Sequence, residues 1–382
     1  MQSALRYIAT PDEFVCPPDG AQTWLRPVGI TAEERGHNQP LSGLYRLAGG
    51  WAGFFQLDVV MRNDTGFDVW RTDINSYLAA SDDRQTAEAA LHRLVCPRPD
   101  FAGLSMARPH IMGVVNVTPD SFSDGGRFFD TGRAIDGAML MARAGASILD
   151  IGGESTRPNA EAVSHADEIA RITPVLSGLA EQGVTLSADT RHTEVMSAGL
   201  AAGAHIINDV SGFTAIGATQ LMAEQYKARP DASYAIAMHM QGEPQTMQNN
   251  PSYGFAPIDI YEVLASHIDR LRAAGLPQSH IAIDYGFGFG KTPQHNRQLI
   301  DWTAMFHGLG VPILVGVSRK SSIPRLVDAS AMGMPEDRFG LDEADRLGGS
   351  IALGTEAVRQ GAQFIRTHDV SQTYQALALT AG

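Results

Sequence analysis

The chain has 382 residues, 44% of them hydrophobic and 19% charged, with a net charge of −13. That composition fits a globular protein with room for one large core or two smaller ones, and it excludes disorder over most of the length. The acidic balance also excludes a general electrostatic grip on nucleic acid or anionic membrane, so any anionic ligand must be held by a local basic site.

The N-terminal stretch has no basic region leading into an apolar one, so no secretory signal is expected. No apolar run approaches the roughly 18 residues of a membrane span. Two cysteines, Cys16 and Cys96, are too few for a disulfide framework or a cysteine zinc site. These features point to a cytoplasmic enzyme or binding protein. Residues 1–107 hold three of the four tryptophans and show no repeating pattern. Two β-rich runs, 50–61 and 67–77, flank the turn-like Asn63-Asp64-Thr65-Gly66 and predict a hairpin. A helix follows near 82–94, then a linker at Cys96-Pro97-Arg98-Pro99. This part is expected to be a small β-containing extension with a loose first 40 residues, distinct from a domain spanning 108–382.

From about residue 110 a single pattern repeats: a β-branched run, a polar tip, then an amphipathic helical stretch. The strand-like runs are 111–117, 147–153, 185–190, 205–210, 234–240, 281–284, 312–318 and 364–369. Helical spacing is plain at 132–146, 165–182 and 257–276. Strands alternating with helices imply parallel pairing through right-handed crossovers, and eight such units predict a (β/α)8 TIM barrel rather than an open doubly wound sheet. Reading the strand ends in order gives Asn116, Glu154, Asp189, Asn208, His239, Asp284, Lys320 and the Arg366/His368/Asp369 group. In a barrel these ends meet on one face, which makes distant residues neighbours. Parity sets Asp189 on the same side of its strand as Ser187, opposite two apolar residues. Only three lysines occur in the chain, Lys227, Lys291 and Lys320, and the last is one of these tips.

The local sequences at the tips are NVTPDSFSDGG at 116–126, DIGGESTRP at 150–158, SADT at 187–190, INDV at 207–210, MHMQG at 238–242, DYGFGFGK at 284–291, SRK at 318–320 and RTHDV at 366–370. In this order and spacing the set resembles dihydropteroate synthase, the folate-pathway family, over about residues 110–375. None of the resemblance extends into residues 1–107. Three positions depart from the family pattern: Tyr285 stands where a proline follows the aspartate, Asn159 replaces a glycine, and Pro324 replaces another.

The resemblance implies an alkyl-group transferase. It would join 4-aminobenzoate to 6-hydroxymethyl-7,8-dihydropterin diphosphate, giving 7,8-dihydropteroate and diphosphate. By resemblance Asp284 accepts the paired donors of the pterin ring, an arrangement suited to a carboxylate. Asp189 and Asn208 read the remaining ring nitrogens, and Lys320 donates to the ring carbonyl and N5. Asn116, Thr156, Arg366 and His368 match the anion site, with Asn116 reaching a Mg2+ that bridges diphosphate oxygens; a sparse protein shell is normal for that ion. Phe122, Pro158 and Phe289 would form the slot for the benzoate ring, Ser321 would hold its carboxylate, and Met240 is a further substrate contact. Asp124 and Arg157 would order the two Gly- and Ser-rich loops over the site. A homodimer is also implied. Pterin-dependent methyltransferase domains share the barrel but have no use for a diphosphate site. A non-catalytic pterin-binding paralogue would lack Asn116, Arg366 or Lys320, all present here. A second activity in residues 1–107 is not supported, because the segment has no acidic pair of the pyrophosphokinase kind.

Overall fold

The computed structural model describes residues 5–8, 22–32, 43–117, 127–154, 163–328 and 346–380. Before the repeating part lie strands β1 (Leu5–Ile8), β2 (Thr23–Val28), β3 (Thr31–Ala32), β4 (Tyr45–Arg46), β5 (Ala52–Phe54), β6 (Gln56–Asn63) and β7 (Gly66–Asp73), then helices α1 (Ile74–Ala80) and α2 (Arg84–Val95). Eight parallel strands follow and close in sequence order: β8 (His110–Asn116), β9 (Ile148–Gly152), β10 (Thr185–Asp189), β11 (Ile206–Asp209), β12 (Tyr234–Met238), β13 (Ile281–Asp284), β14 (Ile313–Val315) and β15 (Phe364–Thr367). The last pairs with the first, Phe364 opposite His110. Around them run α3 (Arg127–Arg143), α4 (His165–Leu179), α5 (Thr193–Ala201), α6 (Ala218–Ala228), α7 (Ala256–Ala274), α8 (Pro293–Asp301), α9 (Ser322–Asp328), α10 (Leu347–Arg359) and α11 (Val370–Thr380). The expected (β/α)8 barrel is therefore present.

The strands read as continuous apolar runs because both faces are covered, one by the helices and one by the barrel interior. Ile111, Leu149, Leu186, Ile207, Ala235, Ile283, Val315 and Ile365 point outward into the layer beneath the helices. Met112, Ile148, Ile206, Ile236, Ala282, Leu314 and Phe364 point inward and fill the lower barrel. The floor is closed from the linker: Phe101, fully buried, packs against Tyr234 and Phe364 with ring centroids 4.9 and 5.5 Å away. Helix starts are fixed locally. The Ser164 hydroxyl accepts from the Asp167 amide ahead of α4, and Thr292 with His295 forms a capping box at α8.

The expected hairpin is β6 and β7, with Asn63 opposite Gly66 and the Asn63 side-chain Oδ1 accepting from the Thr65 amide. The run 50–61 divides, however. Its first part is β5, which pairs with β3 and β4 in a second sheet, and its remainder is β6. Within the first 40 residues, the described stretches 5–8 and 22–32 contribute strands to the sheet of β6 and β7. β1 pairs parallel with β7, and Arg6 makes a forked contact to Asp68 across the pair; β2 pairs with β6. Neither partnership has a local signal, since each joins segments tens of residues apart.

This extension is fastened to the barrel's flank and floor side. The Arg26 guanidinium lies 4.4 Å from the Trp302 ring and donates to the Asp301 carbonyl, while Trp51 Nε1 donates to the Val358 carbonyl. Arg98, buried, donates to the carbonyls of Arg93, Cys96 and His307, joining the end of α2 to the segment leading into β14. Arg98→Ala strands these carbonyls away from water, and a destabilisation of about 3 kcal/mol is expected. Urea unfolding checks it: the midpoint falls with the slope unchanged, and an unmoved midpoint contradicts the fastening role.

Candidate active site

The same inward parity that fills the floor with apolar side chains lifts polar ones into the mouth two residues later. Ile148 gives way to Asp150, Ile206 to Asn208, Ala282 to Asp284 and Phe364 to Arg366. Asp189 stands level with Gly152 and Asn208 across its two neighbours. On β14 the matching position is Gly316, where a Cβ would lie 3.7 Å from Asp284 Oδ2 and 3.8 Å from Arg366 Cβ. Glycine there leaves the space between those side chains open.

Arg366 occupies the centre of this set. Its Nε donates to Asp150 Oδ2 at 2.6 Å, and its Nη2 makes a very short contact to Asp189 Oδ2. Asp150 is fully buried and also accepts from Asn208 Nδ2 at 3.0 Å. Burial alone would lower the guanidinium's pKa, but Asp189 and Asp150 outweigh it and raise the value above the usual arginine range. Burial pushes the Asp189 carboxyl up while Arg366 opposes it. Two carboxylates on one guanidinium form a compensated buried network, and removing one member leaves an unpaired charge.

Asp284 is buried beside this network, and its Oδ1 accepts from the Gly286 amide at 2.7 Å. Burial raises its pKa, against the pull of that amide and of Lys320. Gly286 has φ of 68°, and a Cβ there would come 1.9 Å from the His239 carbonyl oxygen, so only glycine fits. Tyr285, the departure from the family's proline, turns away from the mouth. It is fully buried, with its hydroxyl 3.2 Å from Thr303 Oγ1 and its ring against Phe306. The turn beside Asp284 thus keeps its geometry. Lys320 Nζ lies 3.8 Å from the Phe289 ring centroid, and burial lowers its pKa to about 7 despite the attraction of Asp284. Lys291 is buried just below. Its Nζ meets His239 Nδ1 at 3.0 Å and donates to the Phe289 carbonyl at 2.8 Å; burial holds both the lysine and the histidine well below their ordinary values.

The barrel mouth therefore brings together Asp189, Asn208, Asp284, Lys320, Phe289 and Arg366. Asn116 ends β8 opposite Gly152, part-exposed, and no side-chain hydrogen bond holds its carboxamide among the described residues. His368 lies just beyond β15, its Nδ1 3.0 Å from Ser318 Oγ. Met240 is half-buried after β12, and Ser321 is exposed after β14. Phe122, Asp124, Thr156, Arg157 and Pro158 lie outside the described residues. Arg366, expected at the anion site beside His368, bonds two carboxylates in this arrangement. Asp150 and Lys291 were given no role by sequence reading. The available signal for Asp150 was an aspartate midway along an otherwise apolar barrel strand; for Lys291 it was a rare lysine inside a motif.

The sequence pattern of the pterin binding enzyme family matches residues 112–368. The dihydropteroate synthase of Escherichia coli (strain K12) is 40% identical over 275 residues, covering 72% of this chain and 91% of that relative. That of Neisseria meningitidis serogroup C is 42% identical over 277 residues, with coverage of 72% and 92%. Among solved structures, Yersinia pestis dihydropteroate synthase in a sulfonamide drug complex superposes with a TM-score of 0.64 at 40% identity, covering 72% of this chain and 94% of that one. The Xanthomonas albilineans enzyme with 4-aminobenzoic acid also gives 0.64, at 38% identity and coverage of 73% and 94%. Such kinship is consistent with a metal-assisted reaction, and no helix among the described residues is long and apolar enough to cross a membrane. Barrel, site and relatives agree: the chain belongs to the pterin-binding enzyme family, alongside its dihydropteroate synthases.

Proposed function

We propose that this protein condenses 6-hydroxymethyl-7,8-dihydropterin diphosphate with 4-aminobenzoate to form 7,8-dihydropteroate and diphosphate. The observation that carries the reading is the ring of inward acceptors, Asp189, Asn208 and Asp284, with Lys320 across from them at one barrel mouth. A pterin offers an amino group and a ring N–H side by side. Asp284, buried and raised in pKa, gains most from such a donor pair. Asn208 and Asp189 meet the remaining ring nitrogens, and Lys320 donates to the carbonyl and N5.

The carbon–oxygen bond to diphosphate breaks first, and its electron pair leaves with the diphosphate. The exocyclic methylene is left cationic and conjugated with the electron-rich ring. The amine of 4-aminobenzoate then attacks, the carbon–nitrogen bond forms, and the ammonium proton passes to the departing diphosphate or to solvent. No protein nucleophile is needed, so the side chains act by position and electrostatics. Asp150 and Asp189 hold Arg366 rigid at the centre, while His368 and Asn116 face the leaving group. The part-exposed Asn116 carboxamide is an oxygen donor of the kind a hard cation takes, and we assign it to Mg2+. When bound, Mg2+ would supply charge neutralisation for the diphosphate. Phe289 and Ser321 would receive the aminobenzoate ring and carboxylate, aided by Phe122, Pro158 and Met240; Thr156 would serve the anion, and Asp124 and Arg157 the covering loops. Residues 1–107 are structural in this reading, and the protein works as a cytoplasmic homodimer. The diphosphate-directed residues favour transfer over the methyltransferase-like alternative.

A coupled assay with both substrates tests the proposal. Dihydropteroate forms with Mg2+ present and falls away with chelator, and absence of product in both conditions contradicts it. Asp150→Asn removes one of Arg366's two carboxylates and is expected to lower kcat/KM by about tenfold to a hundredfold. Steady-state kinetics read the loss, and an unchanged value removes Asp150 from the account. If charged Lys320 is needed, kcat/KM for the pterin substrate declines as pH rises through about 7, because the free enzyme's amine loses its proton there. Lys320→Met abolishes that break, and its persistence in the variant assigns it elsewhere. Sulfamethoxazole, as a 4-aminobenzoate mimic, should raise the apparent KM for aminobenzoate without lowering kcat; product formation undiminished by excess drug contradicts the slot.

A further inference from the structure

A second cluster of chemistry-bearing side chains lies on the barrel rim and has no part in the reaction above. Glu154 follows the end of β9, Glu168 sits in the first turn of α4, and His192 caps α5. One ligand atom from each lies within 4.8 Å of the other two. We propose that Glu154, Glu168 and His192 form a binding site for a divalent transition metal of the zinc class.

Two independent features support this beyond the grouping. Glu168 has no exposed surface, and neither carboxylate oxygen has a hydrogen-bond partner. The Thr190 hydroxyl stands near and tempers the carboxyl's pKa without bonding it in ordinary geometry. An unpartnered buried carboxylate is costly and calls for a proton or a cation. The fold is also shaped to bring it there: a Cβ on Gly153 would meet Ile172 Cγ2 at 2.9 Å and Glu168 Cγ at 3.1 Å, so glycine is what lets α4 approach the tip of β9.

The donors suit the ion. One imidazole and two carboxylates favour zinc, cobalt or manganese over calcium, and bond lengths of about 2.0–2.2 Å would draw the three ligand atoms slightly closer together. His192 makes no capping bond, packs tilted against His165 with ring centroids 4.2 Å apart, and sets its Nε2 3.5 Å from Glu154 Oε2. Arg191 is the resident counter-ion. It bonds both oxygens of Glu154, at 3.1 and 3.3 Å, and also reaches Glu243 at 3.2 Å. It can therefore stay on Glu243 while a metal takes Glu154.

The test is calorimetric titration of ZnCl2 into the full-length, untagged, chelator-stripped protein, with Glu168→Gln and His192→Gln beside it. The proposal expects one zinc per chain in the parent and affinity lowered about 10–100-fold or more in each variant. Glu168→Gln keeps the side-chain shape and removes only the charge. His192→Gln alters a part-exposed position, so a folding failure in the first variant leaves the second as the test. Circular dichroism without metal verifies that each is folded. Less than one equivalent bound by the parent, or undiminished binding in a folded variant, overturns the site and leaves Glu168 as a protonated structural carboxyl.

Discussion

The mouth of this barrel is organised around one buried guanidinium. Arg366 reaches inward from β15 to Asp150 on β9 and Asp189 on β10, crossing the barrel rather than following its wall. Asn208 joins through Asp150. Four side chains from four strands are thereby locked into one arrangement, and the surfaces left for a flat heterocycle are Asp284, Lys320 and Phe289. In a low-dielectric interior such a network tolerates no missing member. That constraint accounts for the cluster of inward polar residues above the apolar floor on β9, β10, β11 and β15.

Around this centre the local charges are held back rather than displayed. Lys291 is a buried amine and Lys320 a half-buried one, both with depressed pKa values, and Asp284 is a buried carboxyl with a raised one. Each gains by meeting a complementary ligand group, which is how an active site stores recognition energy in its unligated form. The chain's net charge of −13 says little about this. The small anions it is proposed to use are met by a handful of side chains at one end of the barrel, far from the acidic surface average.

Much of this was legible in the sequence, and the reason is geometric. A parallel strand buried on both faces must be apolar along its length, so a polar residue at its end stands out, and eight ends in sequence order define a ring. Asp189, Asn208, Asp284 and Lys320 were readable in this way. The partners of Arg366 were not, because β15 is more than 170 positions from β9 and β10 and no local pattern pairs them. Strand parity put Arg366 and His368 on one side, but His368 lies beyond the strand, bonded to Ser318. The floor plug Phe101 and the pairing of β1 with β7 escaped for the same reason: both depend on contacts between distant segments. Tyr285 shows the converse. The side chain of this departure beside Asp284 faces the outer layer, while the glycine that follows carries the steric demand.

The most direct measurement is a crystal structure of this chain with a 7,8-dihydropterin bound. The account predicts the ring between Asp189, Asn208 and Lys320, its amino group and ring N–H on the two oxygens of Asp284, with the bond from Arg366 to Asp150 retained. A pterin bound away from Asp284, or bound there only after Arg366 leaves Asp150, would contradict it.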